Sequence, residues 1–87
     1  MGVYVDDARI PRWGRRWSHM VADSPEELHG AAEALGIPRE RAQDRGRVLH
    51  YDLPEEWRLR AIDEGIAVAI GWRELVARWR VDASGQA

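Results

Sequence analysis

Residues 17–28, WSHMVADSPEEL, contain a strand, a turn and the start of a helix in direct succession. The run Trp17–Ala22 is short, largely apolar and bounded by polar residues, which is typical of a β-strand. Ser24 can cap a helix, Pro25 suits the first helical position, and Glu27 completes a capping box. This stretch therefore predicts a strand that passes within a few residues into a helix.

The rest of the chain repeats this alternation of short apolar runs and helical segments. The predicted strands are 3–7, 17–22, 48–52 and 66–70, and the predicted helices are 25–35, 54–65 and 72–79. Residues 8–16 and 38–47 are predicted to be loops, the second with room for one helical turn. Such alternation is typical of a layered domain with a partly parallel sheet. We expect a small α/β fold: a single-layer mixed or mostly parallel sheet of about four strands, packed against two to three helices.

Length and composition limit the class of protein. With 87 residues, 45% of them hydrophobic and 32% charged, the chain suits one globular domain. We assign residues 1–80 to that domain and 81–87 to a flexible tail. The absence of a leader and of a long apolar run predicts a cytoplasmic protein without membrane contact. A net charge of −2 argues against binding polyanions through a global field, and without cysteine a metal would need His, Asp or Glu.

Histidines and acids cluster near the predicted strand ends, where open parallel sheets bind ligands. His19 shares a strand face with Asp23, and His50 shares one with Asp52, because side chains alternate with a period of two. The first hypothesis is a polar site with a divalent metal, Zn, Mn or Fe, as candidate cofactor. The candidate metal ligands are Asp6, His19, Asp23, His50 and Asp52.

The same hypothesis assigns further roles. His19, His50 and Asp7 are candidate catalytic acid–base groups, and an anion would be held by Arg9, Arg15 and Arg16. The corresponding function is a metal-assisted hydrolase or a site for a phosphate-bearing small molecule, and whether the protein is an enzyme stays open. The spacing matches no established metal signature. Structural alternatives are that Asp23 and Asp52 cap helices and that His29 bonds Glu26 or Glu33.

A non-catalytic binding module is the alternative. Residues 12–17, RWGRRW, interleave arginines with tryptophans, which can contact phosphate and stack on bases of a nucleic acid. Arg39, Arg41, Arg45 and Arg47 would extend this surface if the two loops face the same way. Trp13 and Trp17 can equally seal a small core. A protein partner or a homodimer is the other candidate, with Trp79 at the interface.

Several of these segments together resemble a known family. The segments are Tyr4–Arg9, Ser18–Asp23, Glu27–His29, His50–Leu53 and Trp72–Leu75. In this order they are similar to the bacterial and phage family called domain of unknown function 4031. The resemblance covers nearly the whole chain, and it implies no particular reaction.

Overall fold

The computed structural model describes residues 2–44 and 48–83, with side chains as far as residue 78 in the last helix. The strands are β1 (Val3–Val5), β2 (Ile10–Arg12), β3 (Arg15–Ala22), β4 (Tyr51–Pro54) and β5 (Val68–Ala69). The helices are α1 (Pro25–Leu35), α2 (Glu55–Asp63) and α3 (Trp72–Ala83), with a short 3₁₀ turn at Arg39–Arg41. The predicted small α/β fold with a single-layer sheet is confirmed.

The sheet is built around β3, its longest strand. β3 pairs antiparallel with β1, β2 and β4, and β1 also pairs with β5 in parallel. The sheet is therefore mixed, which was one of the two predicted alternatives, and three of its four strand pairs are antiparallel. For β2 and β3 the reason is local, since these two strands are joined by a tight turn that can only connect antiparallel neighbours.

This tight turn lies in the segment that the sequence predicted as a loop. Residues 10–12 and 15–17 pair as a hairpin around Trp13 and Gly14, whose φ angles are +53° and +73°. Positive φ at both central residues of a two-residue connection is the signature of a type I′ turn. The prediction of a loop over 8–16 was wrong for residues 10–12 and 15–16, because a tryptophan stands where such turns usually carry asparagine or aspartate.

α1 and α2 pack on one face of the sheet and form the core. The apolar stripe predicted for α1 is buried there. The opposing side chains come from alternate positions of β3 and β4, as a period of two requires. The large side chains of this core are Met20, Leu28, Leu35, Ile37, Tyr51 and Leu53.

The two ends of α1 are those predicted from the sequence. Ser24 is the N-cap, and its Oγ accepts a hydrogen bond from the backbone N–H of Glu27 at 3.2 Å. At the other end, Gly36 has a φ of +80°, and its N–H donates to the carbonyls of Ala32 and Glu33. Because these start and stop signals act within a few residues, α1 forms over the predicted span.

Other predicted boundaries moved. The strand predicted over 48–52 lies at 51–54, so α2 starts one residue later than expected, at Glu55. The strand predicted over 66–70 is reduced to two residues. α3 continues to Ala83, past the start of the predicted tail at 81, and residues 84–87 lie outside the described residues.

α3 lies on the face of the sheet opposite the core. The guanidinium of Arg78 stacks 4.0 Å from the centre of the Tyr4 ring and lies 3.7 Å from Asp23. At the start of α3, the N–H of Trp72 donates to Asp7 Oδ1 at 2.8 Å. None of the helices within the described residues combines the length and apolar character needed to cross a bilayer.

Candidate functional site

A bulge between β1 and β2 creates the centre of the candidate site. Residues 6–9 lie opposite only Ser18 and His19 of β3, so two extra residues leave the sheet at this point. The Asp6 N–H donates to the His19 carbonyl at 3.0 Å, and the His19 N–H donates to Asp6 Oδ1 at 2.8 Å. The carboxylate thus takes the place of a backbone acceptor that the bulge removes.

The same carboxylate orients the imidazole of His19. Asp6 Oδ2 lies 2.8 Å from His19 Nδ1, and only 1% of Asp6 is exposed. Burial acts to raise the pKa of Asp6, but hydrogen bonds from the side chain and backbone of His19 outweigh it and leave the pKa below its ordinary value. An ionised carboxylate only accepts, so Nδ1 carries the proton and, in neutral His19, the lone pair lies on Nε2.

Asp52 of β4 stands beside His19, its partner in the sheet register. Asp52 Oδ1 lies 4.0 Å from His19 Nε2 and 3.6 Å from His50 Nε2, while Asp52 Oδ2 accepts a 2.8 Å hydrogen bond from the Gln43 amide. His50 Nδ1 donates to the Val48 carbonyl at 3.0 Å. Both histidines therefore present Nε2 toward the same carboxylate.

Gln43 belongs to this cluster, although the sequence analysis did not identify it. Its backbone exchanges two hydrogen bonds with His50, of 2.8 and 2.9 Å, which form an isolated bridge beside β4. This bridge brings the segment after the 3₁₀ turn to the site. No periodicity indicates it, because a single bridge has no repeating pattern.

His19 lies in a cleft of about 350 Å³. The wall of the cleft combines the β2–β3 hairpin, β4 and the segment around Gln43. The lining residues are Ile10, Arg12, Trp13, Trp17, His19, Arg41, Gln43 and Asp52. The two arginine-containing loops thus contribute to one surface. Trp13 is 78% exposed, so it does not seal the core.

A family model described as a protein of unknown function, DUF4031, matches residues 3–82. The chain belongs to DUF4031. The match includes every strand and all residues of the cleft, and it confirms the resemblance carried by the five sequence segments. No curated protein and no solved structure matches this DUF4031 chain.

Of the candidate acids in this DUF4031 protein, Asp6 and Asp52 lie with His19 and His50, whereas Asp23 and Asp7 do not. Asp23 follows the end of β3, and β3 runs antiparallel to β1, so the two strands end at opposite edges of the sheet. Asp23 there accepts a 3.3 Å hydrogen bond from the Tyr4 hydroxyl, and the N-cap position of α1 is held by Ser24. Asp7 contacts the start of α3. The hypothesis that placed these acids in one site relied on a partly parallel sheet, and the antiparallel pairing of β1 and β3 separates Asp23 from Asp6.

The structural alternatives for Asp52 and His29 also differ from what was expected. Asp52 lies inside β4, and Pro54 occupies the N-cap position of α2, so Asp52 is not a cap. The hydrogen bond of His29 is not to a glutamate, as predicted, but to Tyr51, whose hydroxyl lies 2.7 Å from Nδ1. Burial raises the pKa of Tyr51, so the phenol keeps its proton and shares a hydrogen bond with the His29 imidazole.

The predicted anion-binding arginines lie beside acids of α2. Arg9 forms an ion pair with Glu55 at 3.3 Å, and Arg15 forms one with Glu56 at 2.7 Å. Arg16 lines the same surface depression as Arg15 and these two glutamates. Among the described arginines, it is instead Arg12 and Arg41 that line the cleft of His19. Arg45, Arg47 and the side chain of Trp79 lie outside the described residues. Their part in a nucleic-acid surface, for the arginines, and in a homodimer, for Trp79, therefore stays a prediction.

The predicted metal site has little support from the ligand geometry. Within residues 2–44 and 48–78, no group of three or more His, Cys, Asp or Glu side chains is placed to hold a metal ion. Both oxygens of Asp6 already accept hydrogen bonds from the chain. Metal binding by Asp6 would therefore compete with the contacts that orient His19 and close the bulge.

Proposed function

We propose that the cleft binds a phosphate-bearing small molecule and that His19 transfers a proton during hydrolysis of a phosphoester bond. The observation that carries the proposal is the 2.8 Å hydrogen bond between buried Asp6 and His19 Nδ1 beside a cleft that also contains two arginines. A carboxylate bound to Nδ1 fixes the tautomer in which Nε2 can accept a proton.

The proton moves through His19 in two steps. His19 Nε2 accepts a proton from water as the water oxygen forms a bond to phosphorus. The bond from phosphorus to the leaving oxygen then breaks, and that oxygen takes the proton from Nε2. Between these steps the imidazolium is stabilised by Asp6 at 2.8 Å and by Asp52 at 4.0 Å.

Arg12 and Arg41 supply the positive charge that a phosphate requires. Arg12 is the last residue of β2, Arg41 is the last residue of the 3₁₀ turn, and both line the same cleft as His19. Arginine suits this task because its planar guanidinium donates two parallel hydrogen bonds to phosphate oxygens. Within the described part of the chain, the ion pairs of Arg9 and Arg15 direct those side chains to Glu55 and Glu56 instead.

Phosphate binding and phosphodiester cleavage test the proposal. We expect inorganic phosphate to shift the imidazole nitrogen signals of His19 in NMR spectra, and bis(p-nitrophenyl) phosphate to be hydrolysed. His19→Gln should abolish cleavage while phosphate still binds, because both cleft arginines remain. Arg41→Gln should weaken phosphate binding.

His29→Asn is the matched control, since His29 contacts Tyr51 and not the cleft. It should keep full cleavage. Cleavage that persists in His19→Gln, or phosphate that leaves the His19 signals unchanged, would contradict the proposal. Cleavage that is lost on chelation and restored by Zn²⁺ or Mn²⁺ would replace it with the metal-assisted mechanism.

A non-catalytic binding module is a second candidate, favoured by the 78% exposure of Trp13 at the cleft. This candidate predicts that His19→Gln leaves ligand binding and all cellular functions of the protein intact. If this ligand is a nucleic acid held by Arg12 and Arg41, its affinity should fall steeply as the salt concentration rises.

A further inference from the structure

Trp13 combines two features that stability alone does not favour. Its ring is the most exposed large apolar side chain among the described residues, at 78%. Its backbone has a φ of +53°, in the left-handed region that bulky residues avoid. Glycine, asparagine and aspartate are the residues favoured at this position of a type I′ turn. A tryptophan here is more readily explained by what its ring contacts outside the chain.

The surroundings hold this ring at the edge of the cleft. Trp17 meets it edge to face, with ring centres 5.9 Å apart at 90°. Trp17 is itself fixed, because its Nε1–H donates to the Arg12 carbonyl at 2.9 Å. The Arg12 guanidinium lies 5.2 Å from the centre of the Trp13 ring. The aromatic surface is thus preorganised beside a cation.

We propose that Trp13 stacks on the nucleobase of a nucleoside phosphate whose phosphate is held by Arg12 and Arg41. This inference rests on the proposed function and specifies its substrate class. Base stacking needs a flat aromatic surface that is already exposed, and phosphate binding needs cations close by. Both lie in one cleft whose volume of about 350 Å³ is within the range of small-molecule sites.

A second copy of the chain or another protein strand fits this edge less well. β2 is the strand next to Trp13, and its central residue is Pro11. Proline has no N–H to donate, so it prevents regular pairing along the outer edge of β2. The arginines beside the ring also favour an anionic ligand over an apolar protein surface.

The test compares Trp13→Asn with the wild-type protein. An asparagine followed by Gly14 is the favoured type I′ pair, so the variant should melt at or above the wild-type temperature. We measure calorimetric binding of the four ribonucleoside 5′-monophosphates, ribose 5-phosphate and inorganic phosphate. The wild type should bind its best nucleotide at least about fivefold more tightly than ribose 5-phosphate, corresponding to the ~1 kcal/mol lower bound for one stacked base.

Trp13→Asn should remove this fivefold preference and leave the affinity for inorganic phosphate unchanged. Trp72→Gln, which removes another exposed tryptophan outside the cleft, should keep the preference.

A short single-stranded oligonucleotide identifies the source of the base. Tighter binding of the oligonucleotide than of the mononucleotide indicates a nucleic acid, and equal or weaker binding indicates a free nucleotide.

Two results would overturn the inference while sparing the proposed function: phosphate binding without preference for nucleotides, or a preference that persists in Trp13→Asn. Self-association of the wild type that is lost in Trp13→Asn, without nucleotide binding, would assign the ring to an interface between copies. Failure of inorganic phosphate and of every nucleotide to bind would overturn both proposals.

Discussion

At the scale of single residues, the carboxylate of Asp6 has two roles, because it both closes the bulge and orients His19. In Asp6→Asn the amide oxygen can still accept from the His19 backbone, but the amide nitrogen then faces His19 Nδ1. Two donors cannot share a hydrogen bond, so we expect the His19 proton to move from Nδ1 to Nε2. Imidazole ¹⁵N NMR measures this tautomer change directly. An unchanged tautomer would mean that Asp6 does not orient the ring.

The same variant also has a predicted stability profile. Because the pKa of Asp6 is lowered in the folded state, its ionised form stabilises the fold above the unfolded pKa of about 4, and this stabilisation is lost as pH falls. Asp6→Asn should therefore lower the free energy of unfolding by ~1 to 3 kcal/mol at neutral pH. The difference from wild type should shrink on acidification below about pH 4 in urea titrations. A difference that grows in acid would contradict this sign.

At the level of elements, the end of α1 depends on a residue of α2. α1 has no basic residue in its last turn, and its final carbonyls need donors. Backbone N–H groups of Gly36 and Ile37 serve two of them, and Arg60 donates to the carbonyls of Ala34 and Leu35 at 3.4 and 3.3 Å. Arg60 thus joins the two core helices by a capping interaction.

We expect Arg60→Met to lower the free energy of unfolding by ~1 kcal/mol, because it keeps the aliphatic stem and removes the donors. Glu64→Gln is the control, since it removes the exposed ion pair of Arg60 and leaves the contacts with α1. It should cost less than about 0.5 kcal/mol. Urea denaturation measures both, and equal losses would show that the surface ion pair is what matters.

The elements also explain which parts of the fold could be predicted from the sequence. α1 was predicted over its full span, because Ser24, Pro25 and Gly36 act on their immediate neighbours. The β2–β3 hairpin was not predicted, since Trp13 followed by Gly14 is not one of the residue pairs usual in such turns. The bulge at residues 6–9 depends on how β1 and β2 pair with β3, and no local pattern records that pairing.

At the scale of the whole molecule, α3 closes the face of the sheet opposite the main core. Leu75 is fully buried although it is not part of that core. Leu75→Ala should lower the free energy of unfolding by ~2 to 5 kcal/mol, as is typical when a buried leucine leaves a cavity. Arg73→Ala, at an exposed position of the same helix, should change it by less than about 0.5 kcal/mol. Thermal and urea unfolding check both, and similar losses would indicate that α3 docks by some other contact.

The candidate site was only partly predictable, because it is assembled by strand pairing across the whole sheet. His50 and Asp52 share one face through the period of two, which the sequence reveals. His19 joins them only through the register of β3 and β4, which the sequence does not reveal. Arg12, Arg41 and Gln43 join them through the hairpin turn and an isolated bridge, which the sequence does not reveal. The direction of the strands decided whether the remaining acids meet. Because β1 and β3 are antiparallel, Asp6 and Asp23 follow strand ends that lie at opposite ends of the sheet.

The bulge at residues 6–9 also restricts how the length of this segment can vary. Its surplus over β3 is two residues, an even number, so β1 and β2 keep the same alternation of faces. Losing or gaining one residue here would invert β2, sending Ile10 and Arg12 to the other side of the sheet and dismantling the cleft. Changes of two residues preserve that alternation. The length of the segment is therefore constrained in its parity, independently of which amino acids fill it.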